Sequence, residues 1–113
     1  MRAKFKNPSE PTMVERLLQF SGAELREIVL SVCLNSRELY RLVVGYVDLT
    51  EAEKGTGGAD DYLGVRLQLF AQKDVIALVL FILEKDHTDS TRKIINRLVR
   101  NFESRKAVIN SIS

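Results

Sequence analysis

The sequence has very little cysteine, histidine and tryptophan, and these shortages exclude several kinds of site. Its 113 residues include one Cys, one His and no Trp. The single cysteine, Cys33, cannot form an intrachain disulfide, which favours a reducing compartment or a fold that needs no covalent cross-link. One His and one Cys cannot form a zinc site without several carboxylates. The usual sets of catalytic residues are therefore missing.

Long hydrophobic runs are also absent. The longest unbroken apolar run, Val75 to Leu83, is nine residues, whereas a membrane-spanning helix needs about 20. The first residues are basic without an apolar segment, so we expect no signal peptide. These observations predict a soluble, intracellular protein, cytoplasmic or nuclear, without a membrane partner.

What is present is an ordinary globular composition. Hydrophobic residues make up 45% and charged residues 28% of the chain, which predicts one packed domain over residues 1–113. The net charge of +2 is unevenly distributed, because residues 1–7 carry +3, residues 89–113 carry +4 and the stretch between them carries −5. Basic ends around an acidic middle raise the question of a polyanionic partner without answering it.

Apolar residues at helical spacing predict a series of short helices. Thr12 with Glu15 and Ser21 with Glu24 form capping-box patterns at the first two helix starts. The predicted helices run from Thr12 to Phe20, Ser21 to Leu34, Ser36 to about Leu49, Tyr62 to Ala71, Lys73 to Asp86, and Thr88 to about Phe102. Residues 104–112 either extend the sixth helix or form a seventh.

The run from Val75 to Leu83 also fits a buried strand, since it is apolar on every side. No second strand of comparable quality exists to pair with it, so we interpret it as a helix. We expect this helix and the one containing Leu25–Cys33 to be the central ones. The predicted fold is therefore all-α, a compact bundle of six to seven short helices.

Residues 51–61 interrupt the helical pattern with three glycines and four acids. This composition predicts a loop or flexible linker between possible halves 12–50 and 62–112. The acids lack the alternating spacing of a calcium loop, and the glycines lack the order of a phosphate-binding loop. We therefore predict no metal site and no cofactor here.

The two halves resemble each other. Arg16-Leu17-Leu18-Gln19-Phe20 precedes Arg66-Leu67-Gln68-Leu69-Phe70 by fifty positions, and an insertion of five residues would place Leu39 and Val43 opposite Ile94 and Leu98. If the halves are a repeat, each resembles the three-helix units of armadillo-like or HEAT-like solenoids. Two units are fewer than the usual minimum of about three, so such a domain must close into a bundle or bury a face against a partner.

The isolated Cys33 and His87 do not predict catalysis. Cys33 lies on a helix expected to be buried, where a free cysteine behaves as a small hydrophobic residue. His87 lies in a polar connection between helices, where we expect it to be solvated. We therefore predict no catalytic residue and no enzymatic activity.

The last long helix carries the most informative pattern. At about 100° per residue, Arg92, Lys93, Arg97 and Arg100 share one side, opposite an apolar side, and residues 92–102 contain no acid. Three interpretations remain open: a solvated face, a docking surface for an acidic protein or for the acidic middle of the chain, and phosphate contact with nucleic acid.

These patterns favour a non-enzymatic protein–protein interaction module, an adaptor or assembly factor. Its expected partner is a protein with an acidic surface, and a homo-oligomer is a further expectation. The alternative hypothesis is nucleic-acid binding through the same four cations together with Arg2, Lys4 and Lys6.

Overall fold

The computed structural model describes residues 11–55, 62–85 and 88–112, and within these ranges it contains six helices and no strand. The helices are α1 (Met13–Leu17), α2 (Gly22–Asn35), α3 (Arg37–Lys54), α4 (Leu63–Gln68), α5 (Gln72–Lys85) and α6 (Asp89–Ile112). The all-α prediction is confirmed. The ambiguous run after Val75 is helical, and residues 104–112 continue α6.

The first three helices begin where the sequence places capping residues. The hydroxyls of Thr12 and Ser21 accept hydrogen bonds from the backbone N–H groups of Glu15 and Glu24, whose carboxylates accept in return from the two cap residues. Ser36 caps α3 and is the only residue between α2 and α3. These caps satisfy backbone donors that a helix start leaves without partners, and they fix the sharp turns between helices.

The prediction of a loop at residues 51–61 is wrong for residues 51–54, which are helical. α3 continues through Lys54 and ends at Gly55, whose φ of 68° lies in the left-handed region. Residues 51–54 are Glu, Ala, Glu and Lys, which all have high helix propensity, and the buried Glu51 also bonds to Arg66. The remainder of the predicted loop, residues 56–61, lies outside the described residues.

The core is built around α2 and α5, as predicted for the two central helices. These helices pack against each other, and four side chains on each have no exposed surface: Leu25, Ile28, Val29 and Val32 on α2, and Val75, Leu78, Val79 and Ile82 on α5. The rings of Phe20 and Phe102 meet edge to face at a centroid distance of 5.6 Å. This contact joins the turn between α1 and α2 to α6.

Contacts between the two halves are reciprocal. The central helix of the first half, α2, packs against α4 and α6 of the second half. The central helix of the second half, α5, packs against α1 and α3 of the first half. Two units therefore bury their apolar faces against each other, which is one of the two solutions expected for so short an array.

The helix boundaries give a different register from the one expected between the halves. α1 and α4 begin fifty positions apart, as do α2 and α5, while α3 and α6 begin 52 positions apart. This register aligns the buried side chains of α3 with those of α6, namely Leu39 with Thr91, Val43 with Ile95 and Val47 with Val99. The insertion is thus two residues rather than five. A common origin of the halves stays a prediction.

Candidate interaction surface

The four cations singled out in the sequence lie on the exposed side of α6. Arg92, Lys93, Arg97 and Arg100 are all exposed, and we call them the basic face. Opposite them, Ile95, Val99 and Phe102 are at most 1% exposed. The packing of these three side chains in the core fixes the rotation of α6 about its axis. The basic face therefore points to solvent.

Four other cations of the described residues form ion pairs within the fold. Arg16 pairs with Glu103 at 2.8 Å, and Arg66 pairs with Glu51 at 2.6 Å and also with Asp48. Lys54 pairs with Asp74, and Lys106 lies 3.7 Å from Glu24. No member of the basic face forms an ion pair with an acid in the part of the chain that the structure describes.

Three acids in the acidic middle of the chain form ion pairs with cations outside the basic face. These acids, Asp48, Glu51 and Asp74, pair with Arg66 and Lys54. Docking of the basic face onto these acids thus receives no support, and Asp60 and Asp61 lie outside the described residues.

One acid lies next to the basic face on α6. Glu103 accepts two hydrogen bonds from Arg16, both at 2.8 Å. These bonds lower the pKa of Glu103, and the nearby charge of Arg100 lowers it further. Glu103 is therefore engaged with α1, and it connects the first helix of one half to the third helix of the other.

Of the isolated Cys33 and His87, only Cys33 lies among the described residues. Cys33 is partly buried, and this burial raises the pKa of its thiol to about 11. A thiol with so high a pKa is a poor nucleophile at neutral pH, because the thiolate is the reactive form. His87 lies outside the described residues. Within residues 11–55, 62–85 and 88–112, no three His, Cys, Asp or Glu side chains group as metal ligands.

A second surface, which the sequence analysis missed, lies where α2, α3 and α4 meet. Leu34 is 88% exposed, Tyr62 68% and Tyr40 43%. They surround a hollow of about 320 Å³ whose other lining residues are Leu30, Cys33, Leu63 and Gly64. We call this hollow the aromatic groove. The sequence predicted that this helix would be mostly buried, so the exposure of Leu34 was not expected. Leu34 lies near the end of α2, and this position was the only indication of its exposure.

Gly64 explains how the ring of Tyr62 lies in this groove. A Cβ atom at position 64 would lie 2.9 Å from the Tyr62 ring, closer than carbon atoms normally approach each other. Glycine therefore allows the tyrosine ring to lie directly against the start of α4. The position of the Tyr62 ring in the groove therefore depends on this local contact with Gly64 as well as on the packing of the core.

Comparison with known proteins gives no family for this chain. A scan against protein-family models, a search of curated proteins and a search of solved structures each returned no match. No helix in the described ranges is both long enough and apolar enough to cross a bilayer. The basic face and the aromatic groove are therefore the features from which a function can be inferred.

Proposed function

We propose that this protein is a non-enzymatic interaction module, an adaptor or assembly factor, that binds an acidic protein surface through its basic face. The observation that carries this proposal is the clustering of four exposed cations on one side of α6, where residues 92–102 contain no acid. None of the four forms an ion pair with an acid among the described residues.

The chemistry of the face suits an acidic protein. Three of its four members are arginines, whose planar guanidinium groups can donate two parallel hydrogen bonds to one carboxylate. Exposed charges at an interface contribute mainly by accelerating association and selecting the partner. The basic face is therefore expected to guide and orient binding, and the affinity is expected to fall as salt rises.

Phosphate contact with nucleic acid is the second candidate. It is favoured by the absence of any acid between residues 92 and 102, because a phosphate backbone presents charges of one sign. Neutralising phosphates releases counterions, so such binding falls steeply with salt. Arg2, Lys4 and Lys6, which this hypothesis adds, lie outside the described residues.

A charge reversal on α6 tests the proposal. We compare the wild-type protein, Arg97→Glu with Arg100→Glu, and a matched control, Lys73→Glu with Lys85→Glu, which changes the net charge equally on α5. Each is used as bait in nuclease-treated extract of the native host, with circular dichroism to check that the helices are intact. We expect a protein partner that is retained by wild type and control and lost from the α6 variant.

Two outcomes would contradict this proposal. Partners retained equally by the α6 variant would remove the basic face from the interaction. Retention of wild type, but not the α6 variant, on immobilised duplex or single strand at low salt, without a protein partner, would favour the nucleic-acid candidate. Sedimentation of the wild type tests the expected homo-oligomer independently.

A further inference from the structure

The aromatic groove is longer than its central hollow. An adjoining hollow shares Cys33, Leu34 and Tyr40 with it and adds Arg37 and Arg41. Another shares Leu30, Leu34, Tyr62 and Gly64 and adds Arg26 and Glu27. Along α2 alone, Arg26 and Leu34 are separated by about 12 Å at 1.5 Å per residue. The continuous surface is therefore long enough for about two turns of a partner helix.

The apolar part of this surface has the composition of a binding site. Leu34, Tyr40 and Tyr62 are large exposed side chains that line the same hollow. Clustered exposed apolar side chains typically mark contact with a partner. Tyrosine and arginine are the residue types enriched among those that dominate binding energy.

The charged side chains beside the groove indicate the sign of the charge expected on the partner. The walls carry three arginines, Arg26, Arg37 and Arg41, and one acid, Glu27. None of these arginines forms an ion pair with an acid inside the described ranges. Arg37 and Arg41 are exposed and lie one helical turn apart at the end of the groove nearest Tyr40. An apolar floor with basic walls is complementary to an apolar stripe flanked by acids.

We propose that the aromatic groove binds an acidic amphipathic helix of a partner protein. Bulky apolar side chains three or four positions apart on that helix would lie against Leu34, Tyr40 and Tyr62, and Asp or Glu beside them would meet Arg37 and Arg41. This goes beyond the interaction through the basic face, because it involves different helices and an apolar anchor. It does not depend on that interaction.

A selection experiment tests the groove and needs no identified partner. A phage-displayed library of helical peptides is selected on the full-length protein and counter-selected on Leu34→Asp, which places a charge on the floor of the groove. We expect enriched peptides to combine apolar residues at i and i+4 with an excess of Asp and Glu. An absence of enrichment over Leu34→Asp, or enrichment of basic peptides, would overturn the proposal.

The lone cysteine reports where a selected peptide binds. Cys33 lines the groove, so a bound peptide should slow its alkylation by iodoacetamide at least ten-fold when measured near pH 9. We expect Arg37→Glu with Arg41→Glu to weaken peptide binding by at least ten-fold while the circular dichroism stays unchanged. A bound peptide that leaves the alkylation rate of Cys33 unaltered would overturn the assignment to the groove.

The basic-face variant separates the two proposals. Arg97→Glu with Arg100→Glu should bind the selected peptide with wild-type affinity, because those residues lie on α6. If this variant loses the peptide and the groove variants keep it, the peptide binds the basic face and the groove proposal is wrong. If the groove variants alone lose it, the groove proposal stands whatever the pull-down on the basic face shows.

Discussion

At the scale of single residues, Arg66 provides the most enclosed electrostatic link of the described fold. Its guanidinium donates to both carboxylate oxygens of Glu51, at 2.6 and 3.2 Å, and to Asp48. The side chains of Arg66 and Glu51 are only 13% and 11% exposed. These hydrogen bonds raise the pKa of Arg66 above its ordinary value. The arginine therefore holds α4 against α3 as a permanent cation.

Removing the side chain of Arg66 should destabilise the fold. Arg66→Met removes two hydrogen bonds from the buried Glu51 carboxylate, so we expect the free energy of unfolding to fall by about 3 kcal/mol. Arg16→Met is the matched control, since its pair with Glu103 is more exposed, at 24% and 30%; we expect a loss of about 1 kcal/mol there. Urea unfolding measures both. A smaller loss at Arg66 than at Arg16 would contradict this interpretation.

The pair between Arg16 and Glu103 should make stability depend on pH. The hydrogen bond from Arg16 lowers the pKa of Glu103 below its ordinary value of 4.5. A carboxyl group whose pKa is lower in the folded state stabilises the fold at pH values above its unfolded pKa. That contribution is lost as the pH falls through the lower, folded value.

We therefore expect the difference in free energy of unfolding between wild type and Arg16→Met to be largest near neutral pH. This difference should disappear as the pH falls below 4.5. Urea unfolding at a series of pH values measures this difference. Arg92→Met removes a cation without a described acidic partner, so its difference from wild type should stay small throughout. A difference for Arg16→Met that is constant with pH would show that Glu103 does not act through this pair.

The sequence predicted local features of single residues well and distant pairings poorly. The caps at Thr12 and Ser21 were predictable because their hydrogen bonds join residues three positions apart. The exposure of the basic face was predictable because it follows from helical periodicity. The contact between Arg66 and Glu51 was not, because it joins two helices whose packing the local pattern does not specify. The same reason explains why Leu34 and Tyr62 were not recognised as neighbours.

At the scale of helices, the end of α3 shows how local chemistry and packing combine. The composition of residues 51–61 predicted a loop from position 51, yet the helix ends at Gly55. Residues 51–54 are of types with high helix propensity, the buried contact of Glu51 adds to it, and glycine then supplies the left-handed conformation that closes the helix. The sequence contains the correct stop signal at Gly55, but the composition of residues 51–61 taken together predicted an end four residues earlier, although residues 51–54 themselves favour a helix.

Gly45 inside α3 and Gly55 at its C-cap should therefore respond oppositely to replacement by alanine. Gly55→Ala should lower the free energy of unfolding by about 1 kcal/mol, because φ is 68° there and a Cβ atom disfavours that region. Gly45→Ala should raise it by about 1 kcal/mol, because Gly45 is inside the helix and a Cβ atom there would meet no atom within 4 Å. Thermal and urea unfolding would measure both changes. Equal signs for the two would refute this account of the end of α3.

At the scale of the whole molecule, the two halves share a core but differ on their surfaces. In the register of the helices, Leu34 corresponds to Glu84, Tyr40 to Arg92 and Arg41 to Lys93. The aromatic groove of the first half and part of the basic face of the second half thus occupy equivalent positions. The buried positions agree between the halves because both must fill one shared interior. The exposed positions have no such constraint, which allows two surfaces of different chemistry.

The reciprocal core also predicts that neither half folds alone. When the chain is divided after Gly58, the 1–58 fragment exposes the apolar side of α2 that packs against α5, and the 59–113 fragment exposes that of α5. Each fragment is also below the size at which a single core usually suffices, roughly 70 residues. We expect each fragment alone to show little helical circular dichroism at micromolar concentration.

Mixing the fragments should restore the helical signal as a one-to-one complex, because the packing of α2 on α5 and the Arg16–Glu103 and Arg66–Glu51 pairs all connect the halves. Titration followed by circular dichroism, with the mass of the complex from sedimentation, measures this. Arg66→Met in the second fragment should weaken the complex, since it removes a bond between the two pieces. A 1–58 fragment that is fully helical and monomeric would show that the core is divided between the halves and not shared. A helical homodimer of either fragment would instead support the predicted repeat, because equivalent faces would then substitute for each other.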